Sequence, residues 1–354
     1  MTTYQAAGVD TDLEAVFAQM CKDRIAKAWP EAAIGDYAGN IPVPDECRNM
    51  KGSVDGSGTF FHLASRAGAW HALGQKPTVA SAMDVFVAGA PPVTIEDILD
   101  MEVLRPDEHI GVIDGVITAC KALGCHLIGG ETAVLPGTYV DDRFVNINLA
   151  VIGAPVPKFL ARPPQVGDAI YGWISTNPGV NGLSLIRKIF KIDGGSQRAM
   201  QRLNRKRKEL GGKSLADILF EDTPVFAQDI LAEMEHGHYF AAHCNVTGHG
   251  IPGNLPRVLS DGVKAVIDQH SWPRPPIFKL IQDAGDVPIE GKGGMQWTFH
   301  NGPQIISILA RGLAEPYENG FHSRHITCIG TIEKRHSDEP QVKFINDYRD
   351  SPDI

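Results

Sequence analysis

Ile110, Ile113, Val116, Ile117, Cys120 and Leu123 recur every three or four positions, so residues 108–123 carry one continuous apolar stripe. That period predicts a helix lying on a core, and Gly124 directly after it supplies a left-handed stop. Leu13, Val16, Phe17, Met20 and Ile25 share the spacing and predict a helix near the N-terminus, after a short extended arm. Residues 144–152 alternate with a period of two and predict a strand. Further strands are expected at 125–128, 169–174 and 239–246, while 78–90 fit either a strand or a helix before a Gly-Ala turn. Leu185, Ile186 and Ile189 share a helical face. Thr223-Pro224 predicts another helix start, a cap followed by proline in the first turn, with a stop near Gly237.

A chain of 354 residues exceeds what one average core serves, so two domains are expected. The proline-dense stretch 154–164, followed by Gly167-Asp168, divides the chain into residues 1–165 and 166–354. Each half offers a strand, a glycine loop and a helix, which is an α+β pattern without a short repeat. In the second half, Thr247-Gly248-His249-Gly250 runs through Asn254 to Arg257 as a glycine loop leading into a helix, an arrangement suited to anions. The Gly/Pro-rich stretch 34–44 reads as a lid or a linker.

Composition narrows the function classes. Apolar residues make up 43% and charged residues 21%, ordinary for a globular protein. The net charge of -9 argues against broad nucleic-acid or anionic-membrane binding; the basic run at 202–208 reads as a solvated helix face or loop. No apolar run reaches the ~18 residues of a membrane span. The first residues show no signal-peptide pattern, so the cytoplasm is expected. The cysteines at 21, 47, 120, 125, 244 and 328 form no Cys-x-x-Cys pair and are expected to be free thiols.

Candidate chemistry rests on three acids in apolar or glycine surroundings. Asp55 lies in Val54-Asp55-Gly56-Ser57-Gly58-Thr59 and Asp84 in Met83-Asp84-Val85. Glu131 lies in Gly129-Gly130-Glu131-Thr132, expected to be a glycine bend. Singly, each acid could cap a turn. Together they suggest one site for a divalent cation, and Mg²⁺ commonly arrives with substrate phosphates. His236, His238, His243 and His249 cluster in sequence, but strand alternation would scatter their rings, so a zinc site is disfavoured.

Four segments, in order, resemble aminoimidazole ribonucleotide synthetase, the phosphoribosylformylglycinamidine cyclo-ligase family. They are the opening Tyr4 to Asp12, the Gly129-Gly130-Glu131-Thr132-Ala133 stretch with Pro136-Gly137, residues 181–189, and Thr247-Gly248-His249-Gly250 through Leu259. The resemblance implies a two-domain PurM-like fold. Its N-terminal α/β domain would form a barrel across a homodimer, followed by a C-terminal α/β domain. It implies ATP and Mg²⁺, a small nucleotide substrate, and ring closure through an iminophosphate. On that pattern Lys22 contacts nucleotide phosphates, and Asp55, Asp84 and Glu131 hold metal. Asp55, Gly56, Asp84, Gly129, Gly130, Glu131 and Thr132 cradle the nucleotide. Asn181, Gly182, Thr247, Gly248, His249 and Gly250 meet the substrate, with Lys22, Asp55, Asp84 and Asn181 as the catalytic set.

The chain departs from the pattern at several points. A family lysine becomes Phe60, a histidine becomes Gly179, an acid becomes Lys76, the Asn of an Asn-Asp pair becomes Met83, and the C-terminal motif becomes Phe299-His300-Asn301-Gly302-Pro303. Three readings follow: the cyclo-ligase itself, a paralogue acting on another amide or amidine acceptor, and a non-catalytic nucleotide-binding homologue.

Overall fold

The computed structural model describes residues 11–30, 49–156, 159–193, 195–311 and 323–350. The opening motif up to Asp10, the stretch 34–44 and Cys47 lie outside them.

The first half contains α1 (Thr11–Ala28), β1 (Lys51–Gly56), α2 (Phe60–Ala67), α3 (Trp70–Val87), β2 (Pro92–Met101), α4 (Pro106–Leu123), β3 (His126–Val134) and β4 (Val145–Gly153). Its four strands form one sheet in the order β1-β4-β2-β3. Helices α3 and α4 pack on one face of it. The other face leaves Val54 77% and Ile98 46% exposed. The alternation predicted for 144–152 is realised in β4, whose Val145, Ile147, Leu149 and Val151 are all buried. The stripe predicted for 108–123 is α4, closed by Gly124 at φ 77.

The ambiguous stretch 78–90 is helical. Nearly every residue from Ala72 to Phe86 in α3 is buried, because the helix is covered by its own sheet, by α4 and by the second half of the chain. A helix covered all round carries no amphipathic stripe, which is why periodicity left it open. Its crossing with α4 is a backbone contact: a Cβ on Gly74 would lie 1.9 Å from the Val112 carbonyl oxygen, and one on Gly115 2.1 Å from that of His71.

Two expectations are corrected. Gly129-Gly130-Glu131-Thr132 is not a bend; it runs straight through β3, paired to β2 with a register shift at Ile95/Glu96. Gly130 is small for another reason: a Cβ there would sit 2.3 Å from Oδ1 of Asp97. Thr223-Pro224 does not open a helix. The amide of Thr223 donates to Oε1 of Gln75 at 2.9 Å, and the helix begins at Ala227.

The second half contains β5 (Ala169–Ile174), α5 (Leu183–Phe190), α6 (Gln197–Asn204), α7 (Leu215–Leu219), α8 (Ala227–Glu235), β6 (Phe240–Asn245), α9 (Gly250–Asn254), β7 (Val263–Asp268), β8 (Pro273–Arg274), α10 (Pro276–Gly285), α11 (Met295–Thr298), β9 (Pro303–Leu309), β10 (Ile326–Lys334), β11 (Val342–Ile345) and β12 (Arg349–Asp350). Six strands form a mixed sheet in the order β11-β7-β10-β5-β9-β6. One apolar cluster runs from Phe17 and Phe86 into Trp173, Phe226 and Phe240, so a single core joins both halves. In the basic run, the Arg207 guanidinium lies over the Phe190 ring at 5.0 Å. Cys21, Cys120, Cys125, Cys244 and Cys328 are free.

Candidate active site

The two halves meet where β1 ends and α3 passes the second sheet. Asp55 sits near the end of β1 in the register row Asp55–Leu149–Asp97–Gly130, on the helix-covered face. Its carboxylate accepts from the Gly56 amide at 2.7 Å. Asp84, near the end of α3, accepts at 2.9 Å from Nδ2 of Asn245, the last residue of β6. Burial pushes the Asp84 carboxyl above the ordinary range; the Asn245 bond opposes this, the nearby charge of Asp55 adds to it, and Arg257 offsets part. Asp55 and Asp84 therefore face a common space between the halves, with Asn245 and Arg257 on its far side.

Two loops of the second half close around that space. Thr59 Oγ1 lies 2.9 Å from Ser184 Oγ, which fixes the turn after β1 against α5. Gly182, at φ 71, precedes α5, and a Cβ there would lie 2.1 Å from the Phe299 ring. Asn181 Oδ1 lies 3.8 Å from where a Cβ on Gly248 would be, so the two loops are in contact. Residues 247–250 are held from behind by Asn254, whose Nδ2 donates to the carbonyls of Gly248 at 3.0 Å and Gly250 at 2.7 Å. His249 takes a left-handed φ of 78 and is exposed beside the loop. Thus the end of β1 with Asp55 and Gly56, Asp84 on α3, and the loops holding Asn181, Gly182, Thr247, Gly248, His249 and Gly250 come together where the two halves meet.

Glu131 and Lys22 do not join them within one chain. Glu131 shares its row with Ile98, Asn148 and Gly56, on the open face of the sheet. It is also three strand spacings, about 14 Å, from β1. Gly129 and Thr132 lie on the same edge strand. Lys22 is exposed on α1, which packs on α4 and β3 at that edge. Among the described residues no three acids, histidines or cysteines gather as a metal cluster. The histidines scatter as expected: His243 is buried with its Nδ1 2.7 Å from Ser307 Oγ, whereas His249 is exposed.

The departures also find places. Phe60 is fully buried beside Phe220, so no phosphate contact comes from that position. His300 and Asn301 are buried behind the cleft: His300 Nε2 donates to the Asn177 carbonyl at 2.9 Å, and its Nδ1 accepts from the Gly302 amide at 3.0 Å. Burial holds the His300 imidazole down to about 4. Asn245, Thr59 and Ser184 lay outside the expected set; Thr59 and Ser184 fall inside the motifs singled out above, but their mutual contact, like that of Asn245 with Asp84, joins the two halves and leaves no mark in the local pattern.

The AIR synthase related protein N-terminal domain matches residues 35–154, and the corresponding C-terminal domain matches residues 165–343. The chain belongs to the AIR synthase related family. Within that family, the phosphoribosylformylglycinamidine cyclo-ligase of Anaeromyxobacter sp. (strain Fw109-5) is 32% identical over 342 residues, covering 94% of this chain and 96% of the relative. Among solved structures, the hydrogenase maturation protein HypE of E. coli superposes with a TM-score of 0.61 at 14% identity, covering 96% of each chain. HypE in complex with ATP gives a TM-score of 0.56 at 16% identity, covering 92% of this chain and 87% of that one. These two likenesses establish the shared fold of two α/β halves.

Proposed function

We propose that this protein is an ATP-dependent cyclo-ligase that closes the imidazole ring of aminoimidazole ribonucleotide from formylglycinamidine ribonucleotide, a step of purine biosynthesis in the cytoplasm. The observation that carries this reading is the near full-length similarity to a phosphoribosylformylglycinamidine cyclo-ligase, spanning both domains.

The chemistry is a phosphoryl transfer followed by a cyclisation. The amide oxygen attacks the γ-phosphorus of ATP, the bond to ADP breaks, and an iminophosphate forms. The neighbouring amine attacks the activated carbon, the C–O bond breaks, and phosphate leaves with the ring closed. Such transfers depend mainly on positioning and on neutralising charge.

Asp55 and Asp84 fit a hard cation: both offer oxygen, they lie close enough for one charge to raise the other's pKa, and they border the cleft. Mg²⁺ needs only one or two carboxylates when phosphates supply further ligands. When bound, it would neutralise charge on the phosphates. Asn181 and Gly182 would orient the ring-closing end of the substrate, and residues 247–250 its phosphate.

Glu131, Gly129, Gly130, Thr132 and Lys22 would serve a nucleotide site completed by a second copy. Supporting this, among the described residues β1 and β3 each have one strand neighbour, and the open face between them exposes Val54 and Ile98. Edge strands and apolar faces of this kind invite a partner. A division near residue 165 then separates the nucleotide-binding half from the half that carries the acceptor loops.

The test supplies formylglycinamidine ribonucleotide, ATP and Mg²⁺ and follows aminoimidazole by its colour reaction alongside phosphate. Equal amounts of both products support the reading. Mg²⁺-dependent ATP binding without aminoimidazole would redirect it to another acceptor. Sedimentation of the purified chain checks the dimer.

A further inference from the structure

Helix α3 grips the second half of the chain at successive points, and one of them is a fully buried lysine amine. Gln75 exchanges two hydrogen bonds with the backbone of Thr223: its Nε2 donates to the carbonyl at 2.9 Å and its Oε1 accepts from the amide at 2.9 Å. Lys76, the next residue, has 0% exposure. Its Nζ donates to Asn177 Oδ1 at 2.8 Å and to the Glu221 carbonyl at 2.8 Å. Asp84 follows eight residues later, about 12 Å along the helix, and takes hold of Asn245.

Asn177 is the node of this arrangement. Its Oδ1 also accepts from the Gly179 amide at 3.0 Å, its Nδ2 donates to the Asp222 carbonyl at 3.1 Å, and its own carbonyl accepts from His300. Downstream, Gly179 and Gly182 both adopt left-handed φ, at 63 and 71. Two such glycines within four residues give the backbone much freedom, so the loop must be fixed from its ends. Phe299 abuts Gly182 at one end, and Lys76 secures Asn177 at the other.

A fully buried amine is an expensive way to join two segments: burial pushes Lys76 down to about 7 against an ordinary 10.5, with the charges of Asp222 and Glu221 opposing the shift, and a well-packed apolar side chain would join them at less cost. Perturbed buried groups of this kind concentrate at functional sites. We infer that Lys76 is a positioning residue: through Asn177 it sets the conformation of residues 177–182, and thereby the seat of the acceptor substrate rather than that of the nucleotide. The identity of the acceptor rests on the cyclo-ligase reading; the link between Lys76 and the loop does not.

The test compares wild type with Lys76→Gln and Lys76→Met in two measurements. Amide hydrogen exchange at Gly179, Val180 and Asn181 is expected to quicken about tenfold in both variants, with α4 and β6 unchanged. The KM for formylglycinamidine ribonucleotide is expected to rise about tenfold while that for ATP stays within about twofold. A loop exchanging at the wild-type rate overturns the inference, as does an equal rise in both KM values. If the wild type makes no aminoimidazole, the cyclo-ligase reading fails and the exchange result alone decides the role of Lys76. Asn177→Ala guards against a misfolded Lys76→Met: if it loosens the loop and Lys76→Gln does not, the role belongs to Asn177 and the inference falls.

Discussion

The side chain of Asp97 occupies the space that a side chain at residue 130 would need. A Cβ on Gly130 would lie 2.3 Å from Asp97 Oδ1 and 2.9 Å from the Asp97 carbonyl oxygen. Gly130→Ala is therefore expected to lower stability by about 2 kcal/mol, as overpacking against backbone does. Urea denaturation measures it. Because the carbonyl is also in the way, adding Asp97→Ala should recover only part of the loss.

Asp97 itself is buried, and burial pushes its carboxyl up to about 7, opposed by a bond to its own backbone. Its ordinary value is 3.8, so between 3.8 and about 7 the folded chain holds a proton that the unfolded chain has lost. The stabilisation linked to this group is complete below pH 3.8 and is lost as pH rises through about 7. Asp97→Asn should thus gain stability relative to wild type as pH rises from 5 to 8, by roughly 1–3 kcal/mol. A difference that stays constant over that range would contradict the assignment.

His109 carries the opposite sign. Burial first, and then the charge of Arg105, hold its imidazole down to about 4, against an ordinary 6.5. Its ring packs edge-on to Trp70, with centroids 4.9 Å apart. Stability linked to neutral His109 is complete above 6.5 and is lost as pH falls through about 4. His109→Phe keeps the ring and removes the proton site. Its stability relative to wild type should climb by about 1.4 kcal/mol per pH unit on acidification from 6.5 towards 4. Chemical denaturation at three pH values reads this out.

Asp84→Asn retains an oxygen for Asn245 to donate to, so the fold should survive. The charge facing the cleft is gone. Turnover is expected to fall by about a hundredfold or more, with weakened Mg²⁺-dependent nucleotide binding. Asp55→Asn should behave alike, whereas Glu131→Gln should matter only under conditions where the dimer persists. Calorimetric titration of nucleotide with and without Mg²⁺ distinguishes the three.

Local pattern was enough for α4 and β4, where one face is more deeply buried than the other, and the short apolar runs of β5 and β6 were enough to place those strands. It was not enough for α3, which is buried on every side and so carries no amphipathic stripe. Nor could it place Gly130, since a glycine demanded by the carboxyl of Asp97 looks the same in sequence as one demanded by a turn. Motifs singled out Asp55, Asp84, Asn181 and residues 247–250, and the fold brings the segments that carry them together. The contacts Asn245–Asp84, Ser184–Thr59 and Lys76–Asn177 were not legible, because each depends on which segment of the other half lies opposite.

The all-round burial of α3 also bears on how such a protein can be divided or recombined. The helix belongs by sequence to the first half but is roofed by β6 of the second. A gene cut in the proline-dense connector would release a fragment with that helix uncovered, and a chimaera with a relative's second half would have to recreate Gln75–Thr223, Lys76–Asn177 and Asp84–Asn245 together. Exchanging the halves therefore means exchanging the three contacts of α3 with them.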